Sequence, residues 1–182
     1  MKKMMLLAMA FGSVAAVSAE TVVLKDVKGA VLKAHVDGKP ANPTAGTKLT
    51  VDEIGATVVC DFTTAGHDAA WVEFPCELAA CREIVLDRTL SDNKQQLFVV
   101  LTDKNGESHL FKFNTPGNGR HKVKTTVKER NDHPGEYFAW RWGGDDNQRI
   151  DWPVKKVAFG VNDTPDTLVG KVEVIFHSFE VK

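Results

Sequence analysis

The chain has 182 residues, of which 43% are hydrophobic and 26% are charged, as is ordinary for a globular protein. This composition excludes a disordered tail, a collagen-like repeat and a coiled coil. Lysine and arginine together number 23 and aspartate and glutamate 24, so the formal charge is −1 and we predict no nucleic-acid partner.

The start of the chain has the pattern of a leader that is removed on export. Two lysines precede an apolar, uncharged run over residues 4–17, which is shorter than the roughly 20 residues that cross a bilayer. Val17 and Ala19 place small residues at positions −3 and −1 of a cleavage site. We therefore predict a signal peptide over residues 1–19 and a single domain over residues 20–182, secreted or periplasmic and without a membrane span.

After the leader, short segments of alternating apolar and polar residues are separated by turn residues, and no segment keeps a helical period over three turns. Residues 96–102 are apolar nearly throughout, which predicts a central strand, and residues 103–106 predict the turn of a hairpin. The predicted strands are 22–27, 30–36, 56–62, 71–76, 82–90, 96–102, 108–113, 122–128, 154–161 and 171–181. This succession predicts an all-β fold, an antiparallel β-sandwich.

Three cysteines allow at most one internal disulfide. Cys76 and Cys81 flank a short link, and we predict that they pair if this link turns back. Cys60 shares an alternating face with Val58 and Phe62, which predicts a free and buried thiol. Neither a cysteine nucleophile nor a zinc site is indicated, because the chain has no catalytic-cysteine signature and no paired C-x-x-C or histidine spacing.

The strands and turns from Cys81 to the end of the chain carry a family resemblance. They read as strand, polar turn, strand, D-x-x-G turn and strand, followed by WGGDDNQRIDWPVKKVAFGVND and GKVEVIFHSFEV. This pattern resembles the galactose-binding-like β-jelly-roll domains attached to secreted bacterial glycosidases, many of which are carbohydrate-binding modules. The matching positions are Asp103, Gly106, Trp142, Gly143, Gly144, Ile150, Pro153, Val154, Phe159, Gly160, Gly170, Val172, Val174, Phe176, Phe179 and Val181.

The resemblance implies a jelly-roll sandwich with a polysaccharide or glycan as its partner. Domains of this family often hold a structural calcium with an Asp-rich last strand. The corresponding stretch here, residues 174–178, contains no aspartate. The resemblance therefore does not carry a calcium site over, and no cofactor is predicted from it.

The string WRWGGDDN is the strongest candidate for a ligand site. In an extended chain, Trp140 and Trp142 point to the same side and would form a platform for the C–H face of a sugar ring. Arg141, Asp146 or Asn147 would then bond the sugar hydroxyls, and the two glycines allow a sharp turn or a close approach of the backbone. The alternative is that at least one of the two tryptophans belongs to the core.

Oxygen donors also cluster after the second tryptophan, at Asp145, Asp146, Asn147 and Asp151. Their chemistry suits calcium. The spacing is not that of a known calcium loop, however, and this favours a solvated turn.

Basic residues recur over residues 120–130, where Lys122, Lys124 and Lys128 fall on one alternating face. A solvated strand face or a charged sheet edge is the favoured interpretation. The alternative is a site for an acidic polysaccharide.

These observations predict an exported, non-catalytic carbohydrate-binding or glycan-associated module. One alternative is a small exported polysaccharide-active enzyme, a glycosidase or lyase, which requires two carboxylates, or a histidine and a tyrosine, to converge in a cleft. The other is a structural or adhesion sandwich without a small ligand, in which Trp140, Trp142 and Trp152 would all be buried. No recognisable catalytic string occurs in the sequence.

We expect export to remove residues 1–19 and to leave Glu20 as the amino terminus, because the cleavage site follows Ala19. Intact-mass analysis of the exported protein measures this directly. Recovery of the full chain with Met1 retained would contradict the prediction.

Overall fold

Alternation of inward apolar and outward polar residues folds the chain into two sheets. The computed structural model describes residues 20–36, 39–41, 47–62, 68–91, 95–114, 117–130, 138–162 and 170–182, and the predicted leader lies outside these ranges. The strands are β1 (Glu20–Val23), β2 (Val31–Val36), β3 (Lys39–Ala41), β4 (Lys48–Asp52), β5 (Gly55–Phe62), β6 (Ala69–Leu78), β7 (Glu83–Leu90), β8 (Gln96–Asp103), β9 (Glu107–Lys112), β10 (Gly119–Thr126), β11 (Phe138–Gly143), β12 (Val154–Asn162) and β13 (Gly170–Val181), with one 3-10 helix at Leu24–Asp26.

The two sheets have different sizes. The six-stranded sheet has the order β10-β7-β13-β5-β4, with β1 also paired to β13, and the seven-stranded sheet has the order β11-β9-β8-β12-β6-β2-β3. All these strand pairs are antiparallel. The predicted all-β jelly-roll sandwich is confirmed. In the part of the chain that the structure describes, no helix has the length and apolarity that a membrane crossing requires.

Aromatic side chains occupy the space between the two sheets. The ring of Phe159 on β12 is wholly buried, and its centroid lies 5.0 Å from that of Phe179 and 5.9 Å from that of Phe176, both on β13. Phe74 and Phe113 lie 6.2 and 6.4 Å from the same ring. Such pairs contribute about 0.5–1.5 kcal/mol each beyond the area that they bury, so these contacts help to hold the sheets together.

The structure corrects the predicted disulfide, because Cys76 and Cys81 are both free thiols. Strand β6 continues to Leu78, so the residues after Cys76 are extended and the link does not turn back where pairing would require it. Cys81 is buried after the end of that strand, whereas Cys76 is half-buried within it. Cys60 is free and buried, as predicted.

We expect the three cysteines to differ in reactivity. Burial raises the pKa of Cys60, with help from the charge of Asp61, and the pKa of Cys81, both to about 12. Burial and the charge of Glu20 raise the pKa of Cys76 to about 11. Because the thiolate is the nucleophile, a thiol reagent at about pH 8, below the ordinary thiol pKa, should modify Cys76 first in the folded protein.

Unfolding without reductant should then expose all three thiols, and a Cys76→Ser variant should lose the fast native phase. Peptide mapping with and without reductant measures both. A single reactive thiol in the unfolded, unreduced protein would show that a disulfide forms.

Candidate functional site

The outer face of the seven-stranded sheet, which we call the platform face, consists of side chains in register across five or six strands. Trp142 on β11 lies opposite Ser108, and Ser108 lies opposite Thr102. Two parallel rows follow beside this one. From β11 towards β2, the rows are Trp142, Ser108, Thr102, Lys156 and Pro75; then Trp140, Leu110, Val100, Ala158, Glu73 and Val31; then, starting on β9, Lys112, Phe98, Gly160, Trp71 and Lys33.

The centre of the platform face is a small apolar floor that is separate from the core between the sheets. Phe98, Val100 and Ala158 are buried there, with Trp71 packed against them. At Gly160, an added Cβ would lie 2.4 Å from the Phe98 ring and 2.5 Å from the Trp71 Cβ. Glycine at this position therefore lets the Trp71 and Phe98 rings meet edge-on, with centroids 6.3 Å apart.

The two tryptophans of β11 stand on this face and are open to solvent. The exposed fraction is 72% for Trp140 and 47% for Trp142. Their register partners, Leu110 and Ser108, alternate in the same way along β9, so both indoles point to one side as predicted. Neither tryptophan belongs to the core, and the alternative assignment of one of them to the interior is wrong. Two neighbouring exposed indoles on a sheet edge are typical of a binding surface.

A groove of about 370 Å³ crosses the platform face between Trp142 and Trp71. Val100 and the hydroxyls of Thr102 and Ser108 line it, and these two hydroxyls hydrogen-bond to each other at 2.9 Å. Four strand spacings separate β11 from β6, which places these two strands roughly 19 Å apart across the sheet. The residues that line the groove therefore extend across several neighbouring strands of the sheet.

Arg141 lies on the opposite side of β11 and faces the interior. Its Nη1 donates to Oε1 of Glu107 at 3.2 Å and also to Oδ1 of Asp146. The Glu107 side chain is wholly buried, and its Oε2 has no hydrogen-bond partner among the described residues. Arg141 is thus the counterion of a buried carboxylate. These contacts do not place it where the predicted bond to sugar hydroxyls would form.

Gly144 brings the loop after β11 directly onto the same glutamate. Its φ is +60° and an added Cβ would lie 2.4 Å from the backbone nitrogen of Glu107. The preceding Gly143 is also left-handed, with φ +76°. The sharp turn and the close approach that the sequence predicted for these glycines are therefore both present, although the surface approached is the protein itself.

Asn147 is engaged within the loop and does not reach the platform face. Its Nδ2 donates to Oδ2 of Asp145 at 3.0 Å and of Asp151 at 2.6 Å, and its Oδ1 accepts the backbone N–H of Arg149 at 2.8 Å. Asn105 Nδ2 donates to the same two carboxylate oxygens at 3.1 and 3.0 Å. The oxygen donors considered as calcium ligands are thus bonded to N–H groups of the protein, and they tie this loop to the β8–β9 hairpin.

Asp103, Glu107 and His109 form a buried cluster that sequence reasoning missed. One potential ligand atom of each lies within 4.8 Å of the others, and all three side chains are buried. Burial lowers the pKa of His109, and the nearby charges of Glu107 and Asp103 oppose that shift. One sequence feature could have indicated this cluster. Glu107 and His109 are two residues apart and therefore on one face of a strand, and that strand directly follows a strand predicted to be buried.

The carboxylate of Asp103 in this cluster holds the backbone of the β8–β9 hairpin and of Asp151. Oδ1 of Asp103 accepts the backbone N–H of Asn105 and of Glu107, and Oδ2 accepts that of Asp151. A carboxylate–histidine set could in principle ligate a divalent cation, but Arg141 already supplies a positive charge to Glu107. A substrate in the groove would not touch the wholly buried side chains of Asp103 and Glu107.

No family model and no curated protein matches the chain. Among solved structures it is similar to the family 11 carbohydrate-binding module of cellulosomal cellulase Lic26A-Cel5E of Clostridium thermocellum, at 11% identity and TM-score 0.48, covering 90% of this chain and 86% of that one. A second structure of that module, in complex with a β-1,3-1,4-mixed-linked tetrasaccharide, gives 13% identity, TM-score 0.46 and coverages of 90% and 87%. The mannan-recognising module TmCBM27 is similar at 11% identity and TM-score 0.44, and the match covers 90% of this chain and 96% of that one.

Removing Arg141 should destabilise the fold strongly. The Arg141→Gln variant leaves the Glu107 carboxylate buried without its counterion, which costs about 3–5 kcal/mol in comparable cases. The Glu107→Gln/Arg141→Gln double variant should lose less than the sum of the two single variants, because it leaves no unpaired buried charge. Chemical denaturation measures the free energies of unfolding.

Asp146→Asn is the matched control, because Asp146 contacts the same guanidinium but is 77% exposed. Its loss should stay below about 1 kcal/mol. Equal losses for Arg141→Gln and Asp146→Asn would contradict the buried-pair account.

Proposed function

We propose that this protein is an exported, non-catalytic carbohydrate-binding module that holds a polysaccharide along the platform face. The observation that carries the proposal is the pair of exposed indoles, Trp140 and Trp142, on one side of an edge strand beside a groove. In this proposal the tryptophans contact the sugar, and their strand and the following loop are held in place by Arg141, Asp146 and Asn147.

The energetics of sugar binding favour this surface over a purely polar one. Sugar hydroxyls are already bonded to water, so each hydrogen bond to protein nets only about 0.5–1.5 kcal/mol. The C–H face of a sugar ring gains about 25 cal/mol per Å² of apolar surface buried against an indole. Trp142 and Trp71 supply such surfaces at the two sides of the groove, and Thr102 and Ser108 supply hydroxyls between them.

The two alternative functions find less support in the described residues. A structural or adhesion sandwich would have its tryptophans buried, whereas two of them are exposed. A polysaccharide-active enzyme would need carboxylates that reach the substrate, and the converging pair Asp103 and Glu107 is buried beneath the platform face. Binding without turnover is therefore the function that we propose.

Alanine at Trp140 or Trp142 should weaken polysaccharide binding about tenfold or more, because each change removes apolar surface that a sugar ring would cover. The melting temperature should stay unchanged, since both side chains are largely exposed. Affinity electrophoresis or calorimetry against a panel of soluble polysaccharides gives the affinities, and a thermal melt gives the stability.

Ile54→Ala is the matched control, because Ile54 is 55% exposed in the turn between β4 and β5 on the other sheet. It should change neither the affinity nor the melting temperature. Unchanged affinity in both tryptophan variants would overturn the proposed site. Release of new reducing ends from a bound polysaccharide would overturn the non-catalytic assignment.

A further inference from the structure

Lysine side chains surround the groove of the platform face. Lys33, Lys104, Lys155 and Lys156 all line it, and Glu73 and Asp103 are the acidic residues of its lining. The four lysines come from three separate parts of the chain, namely β2, the β8–β9 hairpin and the start of β12. The groove therefore carries an excess of positive charge, although the chain as a whole has a formal charge of −1.

The two carboxylates of the groove do not cancel this excess. Asp103 has a wholly buried side chain, and backbone N–H groups occupy both of its oxygens. Glu73 is shared, since its Oε1 lies 3.0 Å from Nζ of Lys33 and 3.4 Å from Nζ of Lys156. One accessible carboxylate thus faces two ammonium groups.

The remaining contacts of these lysines are weak and can be exchanged. Lys155 pairs with Glu77 at 2.5 Å, and both side chains are about half exposed or more. Exposed ion pairs contribute only about 0–1 kcal/mol. A ligand anion that enters the groove can therefore replace Glu77 or share Lys155 with it at little cost.

Resting on the proposed glycan-binding role, we infer that the groove selects an anionic polysaccharide, one that carries carboxylate or sulfate groups along its chain. The indoles stack against the apolar faces of the sugar rings, and the ammonium groups pair with the anionic groups that project from the ring edges. The strand order supports this division, because it places Trp142 on β11, Lys156 on β12, Trp71 on β6 and Lys33 on β2, in that order across the sheet. The charged and the stacking groups therefore alternate along one polymer path.

The basic stretch that the sequence offered for an acidic polysaccharide lacks this property. On β10, Arg120 pairs with Asp87 at 2.7 Å, Lys122 with Glu180 at 2.7 Å and Lys124 with Glu83 at 3.4 Å. Each of these three cations has a carboxylate partner, of which, among the described residues, only Glu83 is shared, with Lys182 at 3.4 Å, and the face lies on the other sheet. The interpretation as a solvated, charge-paired strand face fits these contacts, and the stretch provides a matched control.

The first experiment compares polymers that share a backbone and differ in charge. Dextran sulfate is measured against dextran, and carboxymethyl cellulose against hydroxyethyl cellulose, so that the sulfate and carboxylate sources are separated. The protein should prefer the charged member of at least one pair about tenfold or more, as expected for several concerted ion contacts. The preference should shrink as salt rises from about 0.05 to about 0.5 M, because screening shortens the range of the charges.

The second experiment removes charge from each of the two lysine faces. A Lys33→Gln/Lys156→Gln variant should bind the preferred anionic polymer about fivefold to twentyfold more weakly, because it also leaves Glu73 facing the ligand unpaired. The Lys122→Gln/Lys124→Gln variant has the same net charge and should bind as the unmodified protein does. A thermal melt confirms that both variants are folded.

The outcomes separate this inference from the proposed function on which it rests. Equal binding of charged and neutral polymers, lost in the Trp140→Ala and Trp142→Ala variants, would overturn the anionic selectivity and keep the glycan site. No binding to any polymer would overturn both. Two further outcomes would overturn the inference, because each would show a non-specific attraction of polyanions. In one, the two double lysine variants lose affinity for the anionic polymer to the same extent. In the other, the protein binds single-stranded DNA as tightly as it binds that polymer.

Discussion

The buried ion pair between Glu107 and Arg141 is the interaction on which the arrangement of the platform face depends. A carboxylate with no exposed surface needs a counterion, and Arg141 on the edge strand β11 provides it across the strand pair. Gly144 packs on the backbone of the same glutamate. In the described part of the chain, β11 pairs with β9 alone, so these contacts fix the position of a strand that has a neighbour on one side only.

The same pair also fixes which side chains of β11 face outward. Successive residues of a strand point to opposite faces, and a slip of one residue would exchange them. With Arg141 held against Glu107 on the inner side, Trp140 and Trp142 must both stand on the outer side, as they do. Removal of either charge of the Glu107–Arg141 pair on the inner side would therefore also reduce the order of the two indoles on the outer side.

The sequence predicted what depends on local alternation and missed what depends on long-range contacts. Nine of the ten predicted segments correspond to strands, whereas the first, 22–27, shares only Val22 and Val23 with β1 and continues into the 3-10 helix at Leu24–Asp26. The shared orientation of Trp140 and Trp142 follows from residue spacing alone. Strands β3, β4 and β11 were not predicted, because they are short or exposed or lie beside strong turn residues. The partner of Arg141 is 34 residues away, and the Cys76–Cys81 pairing was wrong because β6 continues to Leu78.

The two lysine faces show why charge is harder to interpret than hydrophobicity. On β10 the lysines alternate conspicuously in the sequence, yet β7 and β13 of the same sheet supply a carboxylate for each charged side chain discussed above. The lysines of the groove come from three separate parts of the chain and form no visible motif, yet the fold gathers them around one groove, where Lys33 and Lys156 share the carboxylate of Glu73. Binding of an anion depends on this local balance of charges, which only the pairing of distant strands determines.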